Sequence, residues 1–172
     1  MDRFIPEHID PYRYAEQRLG LDGIVNIADM QRLSSSLHTS HGKVTVHLQF
    51  GVDEQDIAFL KGHLNTTLTL QCQRCMEPFD YEIISDFTLG IVNTLDEVNT
   101  LPEYYEPALT KEKSLALRDL IEDELILNLP IIPRHELEEC KVRLPISGIG
   151  SEEETKTESP FRVLESLKGK KK

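Results

Sequence analysis

The 172-residue chain predicts an α+β domain: an antiparallel β-sheet or partly closed barrel with covering helices. Three observations carry that expectation. Apolar and polar residues alternate along most of the stretch from Lys43 to Ile91, as in strands with one buried face. Helical spacing of apolar residues flanks this stretch on both sides, near residues 11–19 and 114–127. Aromatic residues make up only 6% of the chain and Trp is absent, so the core must rest on Leu, Ile and Val.

The first element is a short helix within IDPYRYAEQRLGLDG (9–23). Asp10 suits the N-cap, Pro11 the first helical position, and Gly20 or Gly23 the end. A weaker helical signal covers Ile27 to Leu37, with Asn26 as the candidate cap. From Lys43 the period changes to two: Val44, Val46, Leu48, Phe50 and Val52 alternate with Thr45, His47, Gln49 and Gly51. Asp53 to Asp56 make an acidic turn. A second alternating run ends Leu64, Thr66, Leu68, Leu70, Cys72, which puts Cys72 on the apolar side, and a third begins at Phe79. Two such runs joined by a short polar connector read as an antiparallel hairpin. Residues 93–111, with Pro102 and Pro107, read as a surface loop. A helix is expected from Ser114, its candidate cap, to about Leu127, with Pro130 and Pro133 stopping it.

These elements are assigned to one domain over residues 1–147. Residues 148–172 are assigned to an acidic linker, a short amphipathic segment (Phe161, Val163, Leu164, Leu167) and a basic tail. The chain holds 19 basic and 30 acidic residues, a net charge of −11. Residues 1–150 carry 13 Lys or Arg against 25 Asp or Glu, whereas the end carries Lys168, Lys170, Lys171 and Lys172. An anionic body repels phosphate backbones and attracts basic partners. RNA contact is therefore expected only at the tail and at Arg74. No run approaches the ~20 consecutive apolar residues of a membrane helix, and the N-terminal residues lack the apolar middle of a signal peptide. A cytoplasmic protein without membrane contact is expected, and an odd number of cysteines fits that reducing compartment.

The cysteines carry the main chemical signal. Cys72-x-x-Cys75 sits at the hairpin tip, and Cys140 lies about 65 residues beyond it in PRHELEEC (133–140). Zinc takes about four ligands, and a tight turn can bring both sulfurs of such a pair to one ion. His135 and Cys140 are the candidates for the second pair. The alternatives are three reduced thiols acting as small apolar residues and a redox pair. Strands on both sides argue against the last, since a redox-active pair opens a helix, while Arg74 between the cysteines could stabilise a thiolate. Asp119, Glu122, Asp123 and Glu124 crowd one helix. They read as a solvated face, as a surface for a basic partner (Asp119, Glu122 and Asp123) or, through Glu122, Asp123 and Glu124, as a magnesium-dependent ribonuclease centre. Neither a phosphate loop nor a known hydrolase motif is present.

IDPYRYAEQRLGLDG (9–23), LTLQCQRCMEPF (68–79), LPEYYEP (101–107), DLIEDELILNLPIIPRHELEEC (119–140) and SPFRVLESLKGKKK (159–172) follow one another in an order that resembles the YceD family, the bacterial large ribosomal RNA subunit accumulation proteins. The resemblance covers nearly the whole chain. It implies a role in the synthesis, processing or stability of 23S ribosomal RNA and in large-subunit assembly, with no catalytic activity. The implied partners are a large-subunit ribosomal protein or assembly factor and precursor 23S RNA, contacted directly or indirectly. Members from other lineages look richer in cysteine after the segment matching Pro133, which implies an ancestral metal site; here Cys72, Cys75 and Cys140 remain, beside His135. A zinc-stabilised adaptor is thus a further reading.

Overall fold

The computed structural model describes residues 4–110 and 113–142, so the expected linker, amphipathic segment and lysine tail lie outside the described residues. The fold is α+β: an open five-stranded sheet with helices on one face. The barrel alternative gives way to this open sheet. After the two-residue strand β1 (His8–Ile9) comes helix α1 (Pro11–Glu16). Asp10 Oδ1 accepts from the backbone N–H groups of Tyr12 and Arg13, each at 3.1 Å. With Pro11 at the first position, this is the cap that the sequence predicts.

Strand β2 (Gly20–Asn26) follows where glycines were expected only to end a helix. Two glycines in seven residues disguise its alternation, yet it pairs antiparallel with β3 (Lys43–Val52) over its full length. Between them, the expected helix from Ile27 splits into a 3-10 turn (Ile27–Asp29) and one turn of helix, α2 (Gln31–Ser34). Asn26 is extended but caps nothing, its side chain reaching Asp29 instead.

β3 has the bounds set by its alternation. It pairs with β4 (Ala58–Gln71), which pairs with β5 (Pro78–Val92) from Phe59↔Gly90 to Gln71↔Pro78. This is the long hairpin expected around the cysteines. At the acidic turn between β3 and β4, Asp53 Oδ1 accepts from the N–H groups of Gln55 and Ile57, both at 2.9 Å. The region expected to be loop holds a short helix, α3 (Leu95–Val98), and strand β6 (Glu106–Leu109), which is parallel to β5. Pro107 is compatible with that strand because β6 is an edge of the sheet. Strand β7 (Leu115–Ala116) pairs with β1 in a separate two-stranded sheet, and α4 (Leu117–Leu127) begins directly after it. Ser114 is therefore not the cap: Ala116 holds that position.

The core lies between the sheet and the helices. Val44, Val46, Phe50, Leu60, Leu64 and Leu68 project from one sheet face. They meet Ala15 of α1, Ile27, Leu33 of α2, and Leu117, Ile121 and Leu125 of α4. The opposite face carries most of the polar members of the alternating runs, so position along a strand decides burial until the end of β5, where Leu89 to Val92 are all buried. Among the described residues no helix is long and apolar enough to cross a membrane.

Candidate metal centre

At the end of β4 the chain must reverse within a few residues to start β5. Cys72 N–H donates to Glu77 C=O and Met76 N–H to Cys72 C=O, both at 2.9 Å, and Met76 takes the left-handed conformation with φ of 63°. This turn brings the Cys72 and Cys75 sulfurs to the same side. Beyond α4, Pro130 and Pro133 forbid further helix, and the chain returns to the hairpin tip, where Gln73 N–H donates to Pro133 C=O at 2.8 Å. One turn later Cys140 N–H donates to Glu136 C=O, presenting the third sulfur.

The outcome is a four-residue cluster. One ligand atom from each of Cys72, Cys75, His135 and Cys140 lies within 4.8 Å of all the others. Cys75 Sγ is 3.3 Å from His135 Nδ1, and the His135 ring rests against Phe79 with centroids 5.0 Å apart. Cys72 and Cys140 are buried, and all three cysteines are free thiols. Zinc–ligand bonds of about 2.0–2.3 Å place neighbouring ligand atoms roughly 3.3–3.8 Å apart around a tetrahedron. Small side-chain movements bring this set to that spacing. Three sulfurs and one imidazole are also a donor set that zinc favours, and four protein ligands leave no open position, as in structural rather than catalytic sites.

Local electrostatics prepare the cluster for a cation. Burial opposes ionisation of Cys72, but the N–H groups of Cys75, His135 and Arg74 and the His135 ring outweigh it, lowering this thiol to about 5. At Cys75 the Glu77 N–H favours the thiolate; burial and the Cys72 and Cys140 sulfurs outweigh that and raise it. Ionisation of the pair thus falls first on Cys72. Arg74 Nε donates to Cys140 Sγ at 2.9 Å, and its Nη2 donates to His135 C=O at 3.0 Å. Arg74 was expected to stabilise a thiolate or to meet RNA. Its guanidinium is turned inward onto the cluster.

The acidic helix sorts differently from the sequence expectation. Glu122 was grouped with Asp119 and Asp123 as solvent-facing, but it is buried: Oε1 accepts from Leu33 N–H at 3.0 Å and Oε2 from Arg32 Nη2 at 3.0 Å. Arg32 also holds Asp123. Because Met30 cannot cap α2, Glu122 satisfies that helix start from across the core. Asp119 and Asp123 instead line a groove of about 710 Å³ together with Glu106, Glu124, Leu109 and Leu127. Lys168, Lys170, Lys171 and Lys172 lie outside the described residues.

The family model described as large ribosomal RNA subunit accumulation protein YceD matches residues 60–168, a span that includes all four cluster residues. The chain belongs to the YceD family. A curated YceD-family relative, the large ribosomal RNA subunit accumulation protein YceD of Haemophilus influenzae, is 36% identical over 169 residues, covering 96% of this chain and 97% of the relative. No solved structure matches this YceD-family chain.

Proposed function

We propose that this protein is a non-catalytic ribosome-biogenesis factor that promotes accumulation of 23S ribosomal RNA and assembly of the large subunit. The observation that carries this reading is end-to-end similarity to a relative named for large ribosomal RNA subunit accumulation. In this reading the Cys72, Cys75, His135 and Cys140 cluster binds zinc and acts as a clasp, fastening the segment after α4 to the hairpin tip. The adaptor and assembly-factor readings then describe one protein, held together by metal and acting through its surfaces.

Those surfaces are acidic. The groove between β6 and α4 combines an apolar floor with Glu106, Asp119, Asp123 and Glu124, and suits a basic segment of a ribosomal protein. The lysines at 168–172 are assigned to RNA contact, which a body of such negative charge would not make by itself. The ribonuclease reading lacks support from the geometry, because Glu122 is committed to Arg32 and to Leu33 N–H.

Affinity capture of tagged protein from growing cells, with identification of bound proteins and RNA, tests the proposal. Recovery of large-subunit precursors is expected; capture free of any pre-ribosomal component would refute it. Purified protein incubated with Mg²⁺ and precursor 23S RNA is expected to leave the RNA intact.

A further inference from the structure

The face of the sheet turned away from the helices carries an in-register row that the clasp and the groove do not use. Asp22 of β2 stands opposite His47 of β3, His47 opposite His63 of β4, and His63 opposite Asp86 of β5. Four adjacent strands thus present Asp, His, His and Asp in a straight line. Each histidine is tied to its outer neighbour: His47 Nδ1 lies 2.7 Å from Asp22 Oδ1, and His63 Nδ1 lies 2.7 Å from Asp86 Oδ1. The two imidazoles face each other with centroids 6.1 Å apart, and their side chains are 53% and 42% exposed.

The bonds determine what the rings offer. An ionised carboxylate can only accept, so in the neutral imidazole the proton sits on Nδ1 and Nε2 keeps its lone pair. Nε2 is separated from Nδ1 by Cε1, and its lone pair points well away from the Nδ1–H bond. Since the two Nδ1 atoms are drawn outward to β2 and β5, the Nε2 edges of both rings are left free of those carboxylates, on rings tilted 37° to each other. A ring nitrogen fixed by a carboxylate on its other nitrogen is the arrangement found behind metal-bound histidine.

We infer that His47 and His63 form a second metal site, on the open face of the sheet, which binds one Zn²⁺-class divalent transition ion through the two Nε2 atoms. Asp22 and Asp86 are its positioning residues. Imidazole suits zinc, copper and nickel, and the charge balances, two carboxylates against one divalent ion. The Nδ1–H bonds to the carboxylates are retained, and no proton is released. The adjoining rung on one side holds Thr45 and Asn65, both uncharged. On the other side Lys61 lies over the Phe59 ring, 5.5 Å from its centroid. Two protein ligands leave positions open to water or to a donor from a bound partner.

The full chain, ¹⁵N-labelled, is titrated with Zn²⁺ while the imidazole nitrogens are followed by NMR. The Nε2 signals of His47 and His63 are expected to move together on one binding curve, and H63N to weaken the response of His47 at least tenfold. D22N and D86N should each weaken it about tenfold, the scale of a lost outer-shell partner. Movement of one imidazole without the other, movement of neither, or an unchanged His47 curve in H63N overturns the inference. His135 reports the cysteine clasp independently in the same spectra, so failure of one site is distinguishable from failure of the other.

Discussion

Arg74 sits between two cysteines in sequence and donates to a third in space. A zinc ion held by three thiolates and one imidazole carries a net charge of −1, and the guanidinium 2.9 Å from Cys140 Sγ offsets it. R74M, which keeps length but removes charge and donors, should lower zinc affinity roughly tenfold in competition with a chromophoric chelator, in line with other outer-shell losses. Tyr105 provides a second residue-level test. Burial, and then its bond to Asp53 Oδ2 at 3.1 Å, push its hydroxyl up to about 12. A pKa raised on folding adds stability that is full below the unfolded value near 10 and is lost as pH rises through about 12. Tyrosinate absorbance should therefore show a late-titrating component near 12, beyond the rise that burial also gives Tyr12, and Y105F should remove that component. At this scale the sequence was informative for the residues that cluster, because Cys-x-x-Cys and the Cys140 segment are local patterns. It was silent about the row of Asp22, His47, His63 and Asp86, which exists only through strand register.

Among the elements, α2 is one turn long and starts at a methionine, so its stability comes from elsewhere. Glu122 supplies the acceptor for Leu33 N–H. E122A should cost about 1–3 kcal/mol by leaving a buried donor unpaired, and E122Q should cost less because an acceptor remains; urea unfolding measures both. In β4, Gly62 lies opposite Phe87, and a Cβ there would sit 2.1 Å from the ring. G62A should cost about 1–3 kcal/mol through overpacking, and F87L in the same chain should recover part of the lost melting temperature. Alternation revealed β3, β4 and β5 because each has one face in the core and one in solvent. β2 escaped because its glycines erase the pattern. β6 escaped because a short parallel edge strand containing proline has the composition of a loop. Ser114 was misread as a cap because β7, two residues long, leaves no periodic trace.

For the whole molecule, zinc binding at the proposed clasp would be coupled to folding, since the unfolded chain does not hold Cys72, Cys75, His135 and Cys140 together. Zinc at about a thousandfold over its dissociation constant adds roughly 4 kcal/mol. For a chain of this length that corresponds to about 8–16 °C in melting temperature. Calorimetry should show that rise in the wild type and its loss on chelation, and C140S should respond far less; equal melting with and without zinc would remove the clasp from the account. The proposed clasp would also determine where force travels. Cys140 is two residues from Val142, where the described chain ends, and its sulfur meets those of Cys72 and Cys75 at the tip of the longest hairpin. A partner that pulls on the chain beyond Cys140 would load the proposed metal–ligand bonds and, behind them, the β4–β5 ladder whose inner face builds the core.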